Sequence, residues 1–192
     1  MNGGVLSIVF MALGLLGCAR SRPPGMLAPD EPVQDALAAP GLSFDHHGVT
    51  LTPLARFRVT ARVLGAERYR FDREARLAPV DLALGWGPMS DSAILRDIDI
   101  MQTGRVFLWS AHELPIAEEL IVSHAANMHM IPATRAVEHR LEQLRAGDLV
   151  TFSGALVSAT TADGWTWTTS MSRLDTGAGA CELVWAESLS VR

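Results

Sequence analysis

From Arg56 to Val63 the chain reads RFRVTARV, polar and apolar in strict alternation. That period of two predicts a strand with one buried face. Tyr69 to Phe71 would continue it as the second arm of a hairpin. Shorter apolar runs at Arg105–Ser110 and Leu120–Ser123 predict two further strands. Ser90 or Asp91 is placed to cap a short helix running to Arg96. The clearest helical period covers Thr134 to Arg145, where Val137, Leu141 and Leu144 fall at i, i+4 and i+7. Thr134 suits its N-cap and Gly147 the position just past its end. Arg135, Glu138, His139 and Glu142 occupy the other face, so His139 is expected in solvent rather than in a site.

Three strand patterns follow the helix. Asp148–Ser158 places Leu149, Thr151, Ser153, Ala155 and Val157 on one face and Val150, Phe152, Gly154 and Leu156 on the other. Gly154 marks a bulge or sharp bend. Ala162-Asp163-Gly164 is a turn, Trp165–Ser172 alternates aromatic and hydroxyl residues, and Glu182–Val191 is the closing strand. These elements predict a strand-rich α+β fold, a small β-barrel of OB or SH3 type with one main α-helix near 134–145. Ala146 to Gly154 (AGDLVTFSG) resembles the "G-D-x-V-x-x-x-G" opening of many small-barrel proteins.

The N-terminus follows a different pattern. Val5 to Gly17 is an uncharged apolar run of 13 residues, too short for the roughly 20 that span a bilayer. It has the length of the apolar region of a secretory signal. Met1 to Gly4 bring no Lys or Arg, the one departure from such signals. The run ends in Leu15-Leu16-Gly17-Cys18, which resembles the lipobox of bacterial lipoproteins. That resemblance implies a signal peptide over 1–17 and a palmitoylated, diacylglyceryl-modified Cys18 as the first mature residue. It also implies a periplasm-facing place in the cell envelope, at the outer membrane given Ala19 after the cysteine. Pro23, Pro24, Pro29, Pro32 and Pro40 then predict an extended tether over 18–47, leaving 48–192 as one globular domain.

Composition narrows the function classes. The chain is 48% apolar, 19% charged and carries a formal charge of −5, and all 16 basic residues are Arg. Net acidity argues against a nucleic-acid partner, which demands a basic face. With Cys18 lipidated, no disulfide framework holds the domain. No pattern calls for a cofactor.

Several short motifs carry chemistry. Asp175-Thr176-Gly177-Ala178 resembles the D-T-G-A signature of retroviral-type aspartic proteases, but only 15 residues follow Gly177, too few for that fold. Asp45-His46-His47 resembles the motif of the DHH phosphoesterases without its further metal-binding motifs. His124, Met128, His129 and Met130 join imidazoles to thioethers, a donor set that suits copper(I). Met128 and Met130, two apart on a strand, would equally share a core face. Cys181 is a candidate nucleophile with His124 or His129 as base and Asp175 or Glu182 as orienter. Cys181, Leu183 and Trp185 share one strand face, which suits burial of the thiol. Trp165 and Trp167 share a face and would form a stacking platform if exposed. Trp86, in Leu84-Gly85-Trp86-Gly87-Pro88-Met89-Ser90, is expected to plug the core.

Arg70-Phe71-Asp72, Asp81 through Asp91, Ala126 through Pro132 and Arg173 through Glu182 together resemble a family of uncharacterised proteobacterial proteins. The resemblance implies no activity and points to those loops as the places to look. The sequence therefore suggests a lipid-anchored envelope protein whose β-rich domain binds an envelope partner or small ligand without catalysis. A thiol-dependent enzyme built on Cys181 and a periplasmic copper-binding protein are the alternatives.

Overall fold

The structure is a computed structural model, and it describes residues 19–172, 174 and 179–192. The proposed signal 1–17, Cys18 and Asp175 lie outside the described residues. Ten strands and three α-helices are described: β1 (Val33–Ala36), β2 (Phe44–His46), β3 (Val49–Arg68), β4 (Val80–Gly85), α1 (Ser92–Leu95), β5 (Asp99–Thr103), β6 (Val106–Ser110), α2 (Glu118–Ser123), β7 (Ala125–Pro132), α3 (Arg135–Gln143), β8 (Leu149–Thr160), β9 (Thr166–Thr168) and β10 (Glu182–Val191). The fold is thus α+β and strand-rich.

Eight strands share one sheet, ordered β1-β3-β4-β7-β10-β8-β9 with β2 also on β3. β8 pairs back onto β3, so β3, β4, β7, β10 and β8 follow one another in a cycle of hydrogen-bonded neighbours. All these pairings are antiparallel except β7 with β10. β5 and β6 form a separate hairpin.

β3 is 20 residues long and changes partners as it runs. Its register slips between Pro53 and Ala55 and again between Val63 and Gly65. Each extra residue reverses which side chains face which way. Leu51 accordingly joins an outer cluster with Val157, Ile131 and Leu183, whereas Ala55, Phe57, Val59, Ala61 and Val63 enter the inner core. That inner core also receives Leu82, Leu84, Trp86, Met128, Met130, Phe152, Leu156 and Val184, and α3 covers it with Val137 and Leu141. The Thr134 hydroxyl caps α3 by accepting from the Val137 amide at 3.2 Å.

Four expectations change. The segment predicted as a tether over 18–47 lies along the domain from Ala19 onward. β1 pairs with Ala55–Arg58 of β3, β2 pairs with Val49–Leu51, and Ala28 and Pro32 are buried. Its few apolar side chains do not drive this; it is held by backbone pairing and by polar side chains at both ends. Leu120–Ser123 belongs to a helix, not a strand. Glu118 and Glu119 favour the first turn of α2, and Ile121 packs against Met89 and Ile98. Tyr69–Phe71 leaves the sheet, and the strand expected over Trp165–Ser172 is limited to Thr166–Thr168.

Gly154 sits opposite a slip in β10 between Ala186 and Ser188. A Cβ at Gly154 would fall on the carbonyl oxygen of Trp185, a backbone atom that cannot swing aside. Gly154→Ala should therefore cost about 1–3 kcal/mol, read as a lowered urea midpoint with unchanged m-value. An unchanged midpoint would show that β8 and β10 are not in this contact.

Candidate functional site

The outward faces of β4 and β7 carry an unusual set of side chains. Register places Asp81 opposite His129 and Ala83 opposite Asn127, with Leu183 of β10 beside His129. Asp81 is fully buried, and His129 and Asn127 are nearly so. What covers them is the β5–β6 hairpin. Its two turn residues, Gly104 and Arg105, both have positive φ (55° and 66°), the tight two-residue turn that matches strand twist. A non-glycine residue there is strained and persists only when its surroundings hold it.

Arg105 is held from every side. Its guanidinium grips both oxygens of Asp72 at 2.8 and 3.2 Å, donates to Asp81 Oδ1 at 3.0 Å and reaches the Ala78 carbonyl at 3.2 Å. It lies 4.0 Å from the centre of the Tyr69 ring and 5.5 Å from that of Trp167. Its amide donates to the Tyr69 hydroxyl at 3.0 Å, and its carbonyl accepts from Asn127 Nδ2 at 3.3 Å and from Cys181 Sγ at 3.8 Å. Gln102 fastens the same hairpin by donating to Asn127 Oδ1 at 2.7 Å.

His129 Nδ1 stands 2.9 Å from Asp81 Oδ1. The contact is close but poorly aligned, because neither His129 Nδ1 nor Asp81 Oδ2 makes a hydrogen bond among the described residues. It is a close polar contact rather than a hydrogen bond. The His129 ring packs 4.7 Å from Trp167. Burial raises the Tyr69 phenol above its ordinary value, with the Asp81 carboxylate adding to the effect. The Arg105 hydrogen bonds hold the Asp72 carboxyl below its ordinary 3.8.

The candidates named from sequence do not all meet. Cys181 and His129 share this face. Cys181 is half-buried, with Sγ 3.7 Å from Asn127 Nδ2, and it lies across from Asn127, two residues along from His129's partner Leu183. Glu182 is buried on the inner face, beside Met128. His124 precedes β7 by one residue, so it lies about 16 Å along the strand from His129. There it caps α2, with Nε2 3.0 Å from Glu31 Oε1. Met128 and Met130 point into the inner core. The four copper candidates therefore do not converge, and no group of three or more His, Cys, Asp or Glu suited to a metal occurs among the described residues.

Trp165 and Trp167 are half-buried in the outer cluster, ring centres 6.1 Å apart, with Arg73 over Trp165 at 4.9 Å. Trp86 is buried, and its Nε1 donates to Glu31 Oε2 at 2.9 Å. Asp45-His46-His47 enters a tight turn in which Asp45 accepts from the Gly48 amide at 3.3 Å. His46 packs on Trp185 at 4.7 Å. Burial, followed by the neighbouring His47, lowers the basicity of His46.

Sequence reading named none of Asp81, Arg105, Asn127 and Tyr69 as a site residue, although Asp81 and Asn127 fall in segments it pointed to. Asp81 had a signal, a lone acid in the apolar run Leu77 to Trp86. Gly104-Arg105 between two apolar runs had another, since it spaces a hairpin. No helix of the described residues is long and apolar enough to cross a membrane. Compared with protein families, curated proteins and solved structures, the chain finds no match in any of the three.

Two predictions separate the acids that hold Arg105. Asp81→Ala exposes a nearly buried guanidinium and a buried imidazole to an uncompensated site and should cost about 3–5 kcal/mol in chemical denaturation. Asp72→Ala, at a more open carboxylate (37% exposed), should cost about 0–1 kcal/mol. Equal effects would refute the buried latch. The depressed Asp72 carboxyl also contributes stability that is complete above its ordinary value of 3.8. That contribution disappears as pH falls through the lower folded value. A pH series of urea midpoints should show a larger acid loss in wild type than in Asp72→Ala, in which Asp91 and Asp163 are still held low.

Proposed function

We propose that this protein is an envelope lipoprotein, anchored through Cys18, whose domain is a small OB-type barrel with a non-enzymatic binding face. The observation that carries the barrel reading is the cyclic pairing order. Its first, second and third strands are β3, β4 and β7; α3 follows, then β8 as the fourth and β10 as the fifth, parallel to the third. In OB folds the face of the second and third strands and the two flanking loops take ligands, oligonucleotides and oligosaccharides among them. Here the β5–β6 hairpin covers Asp81, Asn127 and His129 on that face. The accessible part is therefore the flanking loops, which bring Tyr69, Asp72 and Arg73 together with Trp165 and Trp167, Arg73 lying 4.9 Å over Trp165.

Half-exposed tryptophans beside a polar cluster favour a short neutral or hydroxyl-rich ligand such as an oligosaccharide. The net charge of −5 and the acids in the cluster disfavour nucleic acid. An N-acetylglucosamine trimer titrated against the purified protein should quench tryptophan fluorescence saturably. Trp165→Ala, with its circular dichroism unchanged, should weaken binding by roughly tenfold, about 1.4 kcal/mol. No fluorescence change with wild type would remove the sugar reading.

A second reading, a thiol-dependent enzyme, rests on one observation: Cys181 and the Asp81–His129 pair share a face. Iodoacetamide distinguishes the two. Slow alkylation of folded wild type at neutral pH is the expected outcome. Fast alkylation with a depressed thiol pKa would favour the enzyme. The anchor itself is tested by palmitate labelling, which should be present in wild type and lost in Cys18→Ala.

A further inference from the structure

The residues immediately after Cys18 are fastened to the domain. The Arg20 amide donates to the Ala146 carbonyl at 2.8 Å, and its guanidinium pairs with the buried Asp148 carboxylate at 2.7 Å. Arg22 donates to the carbonyls of Gly147 (2.8 Å) and Arg192 (2.6 Å). Gly147 has φ +91°, and a Cβ there would fall on the Arg20 carbonyl oxygen, so the two backbones are in direct contact. Further along, the Gly25 amide donates to Asp91, and the Ala28 amide to Ser90.

Only Ala19 lies between Cys18 and Arg20, and two steps along the chain reach at most about 7 Å. A loose tether over the 29 residues 19–47 would have reached on the order of 100 Å. Resting on the lipoprotein reading above, we infer that this end of the domain lies flat against the phospholipid bilayer. The surface is the turn after α3 together with the end of β10, and it carries Arg20, Arg22, Arg145 and Arg192. Asp148, the acid at its centre, is buried and already paired with Arg20, and the Arg145 amide donates to it at 3.0 Å. Arg20 and Asp148 cancel each other, so the outward charge of this surface comes from Arg22, Arg145 and Arg192 and is basic, which suits anionic headgroups. β8 starts here, where the Arg192 amide donates to the Leu149 carbonyl, and its 12 residues carry the Asp163 turn up to about 36 Å away. The tryptophan face near that turn is thereby turned from the lipid.

The test uses full-length lipidated protein in vesicles of phosphatidylethanolamine and phosphatidylglycerol containing a headgroup-nitroxide lipid. In a Cys181→Ser background, a fluorophore is placed by Arg145→Cys or by Asp163→Cys. Co-flotation with strong quenching at 145 and several-fold weaker quenching at 163 is the expected result. A flexible Gly-Ser insert between Ala19 and Arg20 should keep flotation and remove the difference. Co-flotation with equal quenching at both positions overturns the flat orientation while leaving the lipid anchor standing. Failure to float, with no palmitate incorporated, overturns the anchor and this inference with it.

Discussion

The structure depends on the pairing of one strand. β3 runs for 20 residues and is the neighbour of β1, β2, β4 and β8. A straight strand of that length could not serve partners on a closed path. Two extra residues, Leu54 and Leu64, let it turn, and each reverses the side-chain alternation. The first hands the chain from the outer cluster to the inner core, and the second brings Leu64 beneath the helical elements around Met89. Closing of β8 back onto β3 is the long-range contact that makes a single inner core possible.

That cycle leaves an outward face on β4 and β7 that must be covered or solvated. The hairpin β5–β6 covers it, and its cover is fastened by charge rather than by apolar packing alone. One arginine in a strained turn meets two acids, the Ala78 carbonyl and two aromatic rings. Such a cluster holds its members in one arrangement, because separating a buried charge from its partner leaves it uncompensated away from water. Its effect is to fix Asp81, Asn127, His129 and Cys181 beneath a hairpin that would otherwise be only marginally stable by itself.

Much of this was legible in sequence. The alternation of Arg56–Val63, the period of Thr134–Arg145 with its Thr134 cap, and the faces of Asp148–Ser158 and Glu182–Val191 all correspond to elements of the structure. Local pattern reports which face of an element is apolar, and that is what these segments needed. The N-terminal segment was misread for the same reason. Its prolines and sparse apolar residues describe a chain unable to build its own core, not one unable to pair with an existing strand. Arg20 and Arg22 find Asp148 and the Gly147 carbonyl across more than 120 residues of chain, and no local pattern encodes that. The site was half legible. Cys181, His129 and the two tryptophans stood out by type. Arg105 did not, because its importance comes from the turn that aims it.

The central claim is that residues 19–47 belong to the folded domain, which supports β3 and on which the proposed orientation at a lipid surface rests. Native-state hydrogen exchange measures it directly. The amides of Arg20, Ala28 and Gly41, and those of Val33–Ala36 that pair with β3, should exchange far more slowly than a free chain. Truncating the chain before Val49 should then speed exchange in the Ala55–Arg58 stretch of β3. Exchange of those N-terminal amides at the rate of an unstructured peptide would contradict the account.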